Sequence, residues 1–96
     1  IVDVTFVASR ETSVEEVNAA FAAAAAEARW QHIFAVTDEP VVSSDIIGSR
    51  VGSIADLSCT RVVGGSLVKV MAWYDNETSY TQTLVEHVVA AARTLA

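Results

Sequence analysis

The sequence predicts an α+β domain in which helices pack on one face of a largely antiparallel sheet. Three observations support this prediction: strand-like alternation at the start, two segments with helical spacing, and two adjacent glycines between apolar runs. The predicted order is strand, helix, two or three strands and helix, with a hairpin in the second half. A chain of 96 residues corresponds to a single domain.

The first strand is predicted in residues 1–8, IVDVTFVA. Alternation places apolar side chains on every second position, and we expect this face to be buried. The face consists of Val2, Val4, Phe6 and Ala8. Because the chain opens at Ile1 rather than Met and already inside a strand, we expect it to be a piece of a longer polypeptide.

A helix is predicted to begin at Val14. Ser13 followed by Glu16 three residues later matches a capping box, in which each side chain satisfies a free backbone amide. The expected core-facing stripe has mostly small side chains, so this helix should lie close against its neighbour. The stripe consists of Val14, Val17, Phe21, Ala24 and Ala28.

The middle of the chain is predicted to hold strands and loops. Residues 33–36 form a short apolar run, and residues 38–40 form a turn because Pro40 cannot donate to a sheet. An extended segment and a glycine-containing loop follow. Residues 54–63 and 66–74 read as two strands, joined by a two-residue turn at Gly64 and Gly65 into a hairpin.

The last helix is predicted from Glu77 onward, with Asp75 or Asn76 as its N-cap. Residues at three- and four-residue spacing form one apolar stripe, which we expect to face the core. These residues are Tyr80, Leu84, Val88, Ala91 and Leu95.

Composition and charge exclude several functions. The net charge is −6 and the acidic residues are spread along the chain, so no basic patch is available for nucleic acid. No apolar run approaches the roughly 20 residues of a membrane span. His32 and His87 lack partners at metal-ligand spacing, so no metal site is expected. A single cysteine excludes an internal disulfide and suits a reducing compartment.

Cys59, between Ser58 and Thr60, is a candidate nucleophile by its neighbours alone. Reactive thiols lie at helix N-termini or beside cations, whereas Cys59 is predicted in the middle of a strand, on the face of Leu57 and Val63. We therefore expect a structural role. Likewise, Asp45 in its serine-rich setting is expected to cap a turn.

The stretch AWYDNETSY, residues 72–80, concentrates aromatic, acidic and amide side chains where a strand meets a helix. One interpretation is structural, with Trp73 buried and Asp75 or Asn76 capping the helix. The other is a ligand site, because strand ends followed by helix N-termini often hold ligands and an asparagine amide both donates and accepts hydrogen bonds. The residue pattern alone leaves both open.

The same stretch resembles the carboxy-terminal signature of phosphorylating glyceraldehyde-3-phosphate dehydrogenases, W-Y-D-N-E with a tyrosine after two further residues. The resemblance covers nearly the whole chain, in five segments in the family's order. They are IVDVTFVA, SVEEVNAAFAAAA, VVSSDIIG, SIADLSCTRVVGGSLVKV and VKVMAWYDNETSYTQTLV. The resemblance implies a glyceraldehyde-3-phosphate dehydrogenase-like carboxy-terminal domain, incomplete here.

The resemblance implies that residues 1–96 are the carboxy-terminal part of a catalytic domain, with the amino-terminal dinucleotide-binding domain absent from this chain. The family's enzymes oxidise glyceraldehyde 3-phosphate with NAD and inorganic phosphate to 1,3-bisphosphoglycerate. By position Asn76 would bind the nicotinamide carboxamide, Tyr80 would flank its ring, and Tyr74 would lie nearby. The family's S-C-T-T-N nucleophile and histidine base lie upstream, so the segment has no catalytic residue and should be inactive alone.

The resemblance further implies a cytoplasmic, glycolytic homotetramer. The chain departs from the family at RWQHIFAVTDEP, where a G-x-L-G-Y-T-like segment is usual, and at Thr78 and Ser79. Two alternatives stay open. One is a sister erythrose-4-phosphate dehydrogenase, and the other is a non-catalytic binding or assembly module that associates through its small-residue helix and apolar sheet face.

Overall fold

The computed structural model describes residues 1–95, which form a mixed sheet with helices and thus the α+β class that the sequence predicts. The strands are β1 Val2–Val7, β2 Phe34–Thr37, β3 Ser53–Asp56, β4 Arg61–Val63 and β5 Leu67–Trp73. The helices are α1 Val14–Ala26, α2 Ser43–Ile46 and α3 Thr78–Arg93, with 3-10 turns at Ala28–Trp30 and Leu57–Cys59.

β5 is the strand on which the others assemble. β1 pairs with it antiparallel along one side, from Val2 opposite Ala72 to Val7 opposite Leu67. β3 and β4 pair antiparallel with its other side, and β2 pairs parallel with β3. The sheet is therefore largely antiparallel, as predicted, and its one parallel pair within the described residues lies at the β2 edge.

The strand predicted over residues 54–63 is interrupted, and this part of the prediction is wrong. The Asp56 carboxylate accepts hydrogen bonds from the Ser58 amide (3.1 Å) and the Ser58 hydroxyl (2.5 Å), which bends the chain into the turn Leu57–Cys59. Short polar side chains that bond nearby backbone compete with sheet pairing in this way. Cys59 consequently lies at the end of a 3-10 turn, not in the middle of a strand.

The hairpin is present, with a longer connection than predicted. Val63 pairs with Leu67, so three residues form the loop instead of two. Gly64 and Gly65 have φ angles of 61° and 80°, a region that glycine enters without steric cost.

α1 begins at Val14 as predicted, and the Ser13 side chain accepts a hydrogen bond from the Glu16 amide at 3.1 Å. The Glu16 carboxylate does not complete the capping box; it accepts a bond from Thr12 (2.8 Å) and pairs with Arg10 (2.8 Å). Thr12 and Arg10 thus bond the exposed carboxylate of Glu16, which in a complete capping box would accept from the Ser13 amide alone.

Asn18, which lies off the predicted stripe, docks α1 onto the rest of the fold. Its amide donates to the Leu57 carbonyl at 3.1 Å and accepts from the Thr60 hydroxyl at 2.7 Å. Thr60 is buried. On the same side of the sheet, Phe21 of α1 meets Phe34 of β2 edge to face, with ring centroids 5.8 Å apart.

α2 is a single helical turn in a segment predicted as extended chain and loop. The Asp45 carboxylate accepts a hydrogen bond from the Val42 amide at 2.8 Å, so Asp45 caps a turn as expected. Ile46 lies on this turn and is one of the buried apolar residues of the molecule.

Two predicted core faces are exposed. Val4 and Phe6 on β1 are each 44% exposed, and on α3 Tyr80 is 69% and Val88 58% exposed. No described element covers these side chains, since α1 packs against β2 and α3 extends from the end of β5. The molecule is correspondingly elongated, with extents of 51 × 31 × 20 Å. Within residues 1–95, no helix is both long and apolar enough to cross a membrane.

Candidate functional site

The junction between β5 and α3 is held in place by buried polar groups. The Trp73 indole nitrogen donates to the Asp56 carboxylate at 3.0 Å, which ties the end of β5 to the end of β3. Ser79, in the first turn of α3, is buried, and its hydroxyl donates to the main-chain carbonyl of Asp75. The stretch between Trp73 and Ser79 is therefore anchored at both ends.

The N-cap position of α3 is Glu77, so neither of the two N-cap residues that the sequence allowed occupies it. Asp75 nevertheless takes up the free amides at the start of the helix. Its carboxylate accepts hydrogen bonds from the amides of Glu77 (2.9 Å) and Thr78 (2.6 Å). The other carboxylate oxygen accepts from the amide of Gly48 at 3.0 Å, 27 residues earlier in the chain. Bonding to these amides thus accounts for Asp75 and leaves Asn76 without a structural role at the N-terminus of α3.

Asn76 and Tyr80 line the same cleft, of about 320 Å³, together with Tyr74. Both Asn76 and Tyr80 are exposed, and within residues 1–95 no protein group hydrogen-bonds the Asn76 side chain. The structure therefore brings together the residues that the sequence singled out, with an amide free to donate and accept. The remaining lining residues are Gly52, Ser79 and Thr83.

A second cleft, of about 260 Å³, adjoins the first because Tyr74 and Asn76 line both. Its opposite wall comes from α2 and the residue after it, through Ser43, Ile46 and Ile47. This wall was not expected from the sequence, which predicted extended chain there. The Asp75 bond to Gly48 connects this wall to α3.

Two carboxylates are held in their charged forms: Asp75, which lines the smaller cleft, and Asp56, which lies outside both clefts and bonds the end of β5. Backbone hydrogen bonds from Thr78 and Gly48 hold the pKa of the Asp75 carboxyl below its usual range. Burial raises the pKa of Asp56, but hydrogen bonds from Ser58 and Trp73 outweigh burial and leave that pKa below its usual range as well. Both carboxylates therefore act as hydrogen-bond acceptors at neutral pH.

Cys59 lines neither cleft. It is half-buried, at the end of the turn Leu57–Cys59, with its sulfur 3.8 Å from the Ser58 hydroxyl. The carboxylate of Asp56 bonds the same turn, and the Arg61 guanidinium donates to the carbonyls of Ser58 and Thr60 on either side of Cys59. Within residues 1–95, no three His, Cys, Asp or Glu side chains cluster as a metal site.

Three residues that support the site were not identified from the sequence pattern: Asp56, Gly48 and Asn18. Each forms a hydrogen bond with a residue at least 17 positions away in sequence, so the contact exists only after folding. The bonds join Asp56 to Trp73, Gly48 to Asp75 and Asn18 to Leu57. The one local signal was Asp56 two residues before Ser58, a spacing typical of a side chain that bonds its own backbone.

Comparison with known proteins shows the family. The family model of the glyceraldehyde 3-phosphate dehydrogenase C-terminal domain matches residues 1–76. The glyceraldehyde-3-phosphate dehydrogenase of Thermotoga maritima is 49% identical over 86 residues, which are 90% of this chain and 26% of that protein. That of Geobacillus stearothermophilus is 46% identical over 86 residues, 90% of this chain and 25% of that protein.

A third relative, the chloroplastic glyceraldehyde-3-phosphate dehydrogenase A of Nicotiana tabacum, is 48% identical over 86 residues, 90% of this chain and 22% of that protein. The chain spans about a quarter of the length of these relatives. With most of its residues matched by the family model, the chain belongs to the glyceraldehyde-3-phosphate dehydrogenase family, as a segment of its C-terminal domain.

Proposed function

We propose that the chain forms the nicotinamide-binding part of an NAD-dependent phosphorylating glyceraldehyde-3-phosphate dehydrogenase, with Asn76 and Tyr80 as the cofactor-binding residues. One observation carries this proposal: Asn76, whose amide has no protein partner within residues 1–95, shares an open cleft with Tyr74 and Tyr80. Family membership supports a dehydrogenase, because the relatives are named glyceraldehyde-3-phosphate dehydrogenase.

The residues of the cleft fit the chemistry of a nicotinamide. Its carboxamide carries one donor group and one acceptor oxygen, which the amide of Asn76 can match in both senses. Its ring is flat, and the Tyr80 side chain offers a flat apolar surface beside Asn76. Bound NAD would supply the hydride acceptor, while Asn76 and Tyr80 would hold and orient the ring.

The complete reaction is assigned to the longer protein. It would oxidise glyceraldehyde 3-phosphate with NAD and inorganic phosphate to 1,3-bisphosphoglycerate, a step of glycolysis, in a cytoplasmic homo-oligomer. We place the nucleophile, the general base and the amino-terminal dinucleotide-binding domain outside these 96 residues, since the chain spans only about a quarter of its relatives. The 96-residue segment alone is therefore expected to be inactive.

The Asn76→Ala variant of the full-length enzyme tests this proposal. Leaving the bound carboxamide without its hydrogen-bond partner costs about 1–3 kcal/mol, so the NAD dissociation constant should rise roughly 5- to 150-fold. Gln82→Ala provides the matched control, because it also removes an amide from this region of α3 but does not line the cleft. An Asn76→Ala enzyme that binds NAD as the parent does would remove Asn76 from the site.

Tyr80 is tested by two substitutions that separate its ring from its hydroxyl. Tyr80→Phe keeps the ring and should bind NAD almost as the parent enzyme does, whereas Tyr80→Ala should bind it more weakly. Equal affinity in all three enzymes would show that the ring does not contact the cofactor. Calorimetric titration of NAD into the parent enzyme, the two Tyr80 variants and Asn76→Ala provides the measurement.

A non-catalytic assembly module is the alternative, and the exposed apolar face of α3 favours it. The two functions are distinguished by assaying the full-length protein with glyceraldehyde 3-phosphate, NAD and phosphate. Formation of NADH supports the dehydrogenase, and its absence in a folded, NAD-supplied protein supports the module. A faster reaction with erythrose 4-phosphate would instead identify the sister dehydrogenase.

A further inference from the structure

Asp75 connects more separate parts of the site than any of its neighbours in the stretch between β5 and α3. Its carboxylate bonds the amides of Glu77 and Thr78 in the same segment and the amide of Gly48 from a distant one. Its main-chain carbonyl accepts the hydroxyl proton of buried Ser79. Asp75 is thus bonded through its side chain and its backbone.

Asn76 lies between these bonded positions. The residue before it is Asp75, and the amides of the two residues after it, Glu77 and Thr78, both donate to the Asp75 carboxylate. The backbone of Asn76 is therefore held within a closed loop of hydrogen bonds. Its side chain, by contrast, is exposed and lines both clefts. The orientation of the amide thus depends on the loop that Asp75 closes.

The hydrogen bond to Gly48 also connects Asp75 to the opposite wall of the smaller cleft. Gly48 follows α2, whose Ser43 and Ile46 line that cleft across from Asn76. Gly48 has a φ angle of 84°, a left-handed conformation that glycine adopts readily and that leaves its amide available to Asp75. A single carboxylate therefore joins the two walls.

We propose that Asp75 is a positioning residue for the cofactor, which holds Asn76 toward the nicotinamide carboxamide and sets the separation of α2 from α3. This inference rests on the proposed role of Asn76 in binding NAD. The carboxylate is required because both of its oxygens accept hydrogen bonds. An asparagine at this position has one acceptor oxygen and an amino group, so either Gly48 or the α3 amides would lose their partner.

The test measures NAD binding and turnover in the full-length Asp75→Asn enzyme. We expect the NAD dissociation constant and KM to rise about tenfold, because the amide of Asn76 would lose its fixed orientation, with kcat within about twofold. If Asp75 only stabilised the fold, its substitution would reduce the fraction of folded enzyme. The apparent kcat would then fall, and KM would stay unchanged. Asp45→Asn is the matched control, since Asp45 caps a turn by bonding Val42 but lines neither cleft.

Asp75→Ser provides a second variant if Asp75→Asn folds poorly. Serine retains an acceptor that can cap α3, but its side chain is too short to bond α3 and Gly48 together. We expect weakened NAD binding in this variant with an unfolding midpoint close to that of the parent enzyme. NAD affinities equal to the parent value in Asp75→Asn and Asp75→Ser would overturn the inference.

A double-mutant cycle separates this inference from the proposed function. If Asp75 acts through Asn76, the enzyme carrying both Asp75→Asn and Asn76→Ala should bind NAD no more weakly than Asn76→Ala alone. Additive losses in the double variant would overturn the positioning role and leave Asn76 in the site. An Asn76→Ala enzyme with unchanged affinity would instead overturn the proposed function itself.

Discussion

Asp56 accepts a hydrogen bond from the indole nitrogen of Trp73 at 3.0 Å, and this bond joins the last residue of β3 to the last residue of β5. Asp56 is only 4% exposed, so its charge depends on the donors around it. Ser58 supplies the others, through its amide and its hydroxyl. The charge of Asp56 and the position of the β5 end are therefore linked.

Trp73→Phe should destabilise the protein. Phenylalanine retains most of the packing of the indole but removes the donor to Asp56, and a hydrogen bond to a charged group contributes about 1.5–3 kcal/mol. Urea unfolding, followed by far-ultraviolet circular dichroism, would measure the change. Trp30→Phe is the control, since Trp30 stacks under Arg29 at 4.8 Å and should cost less. Equal destabilisation by both substitutions would contradict the role of the bond to Asp56.

The lowered pKa of Asp56 also predicts that the protein loses stability in acid. Because its pKa is lower in the folded protein than in the unfolded chain, its contribution is complete above the unfolded value of about 3.9 and is lost as the pH falls through the folded value. Asp56→Asn should therefore destabilise the protein more at pH 7 than at pH 3.

Urea midpoints at pH 7, 5 and 3 for the parent protein and for Asp56→Asn would measure this difference. Asp38→Asn, which removes a carboxylate from an exposed turn, provides the control. If the deficit of Asp56→Asn were the same at pH 3 as at pH 7, the charge of Asp56 would not be the source of its stabilisation.

His32→Gly should stabilise the protein. His32 has a φ angle of 69°, a left-handed conformation that costs a residue with a Cβ about 1–2 kcal/mol. Glycine avoids this cost but loses more entropy on folding, so the net gain should be about 0.5–1 kcal/mol. Thermal unfolding of His32→Gly would show it as a raised midpoint.

Gln31→Gly is the matched comparison, because Gln31 has an ordinary φ of −57° and gains nothing from glycine. This neighbouring substitution should lower the midpoint. A lowered midpoint in both variants would show that the backbone of His32 is not strained in solution.

Cys59→Ser should leave turnover of the full-length enzyme within about twofold, as for substitutions away from functional groups. The sulfur lies at the end of a turn and outside both clefts, so it has no access to a substrate bound beside Asn76. NADH formation at saturating substrate would measure turnover. Loss of activity with an unchanged unfolding midpoint would show that Cys59 takes part in the reaction.

Much of the fold could be predicted because its signals are local. Ser13 begins α1 through a cap contained within four residues, and Gly64 and Gly65 bend a hairpin between adjacent strands. The prediction missed contacts that polar side chains make, both two residues apart and 17 residues apart in sequence. Asp56 ends β3 by bonding Ser58 and Trp73, and no periodicity of apolar residues reports such a bond.

Burial was the least predictable property. The alternation of Val2, Val4 and Phe6 and the helical spacing of Tyr80 and Val88 indicate faces that suit a core, yet these side chains are exposed. Periodicity shows which residues share a face. Whether that face is buried depends on whether another element packs against it, and within the described residues no element does.

The sequence by itself determined the α+β class, the start of α1, the hairpin and the stretch from Trp73 to Tyr80 as the place to look for a site. The tertiary structure decided that Asp75 bonds the free amides at the start of α3 and leaves Asn76 free, and that α2 faces Asn76 across a cleft. The physical reason is the range of the interactions. Caps and turns act within a few residues, whereas the Asp75 bond to Gly48 exists only after the chain has brought positions 27 residues apart together.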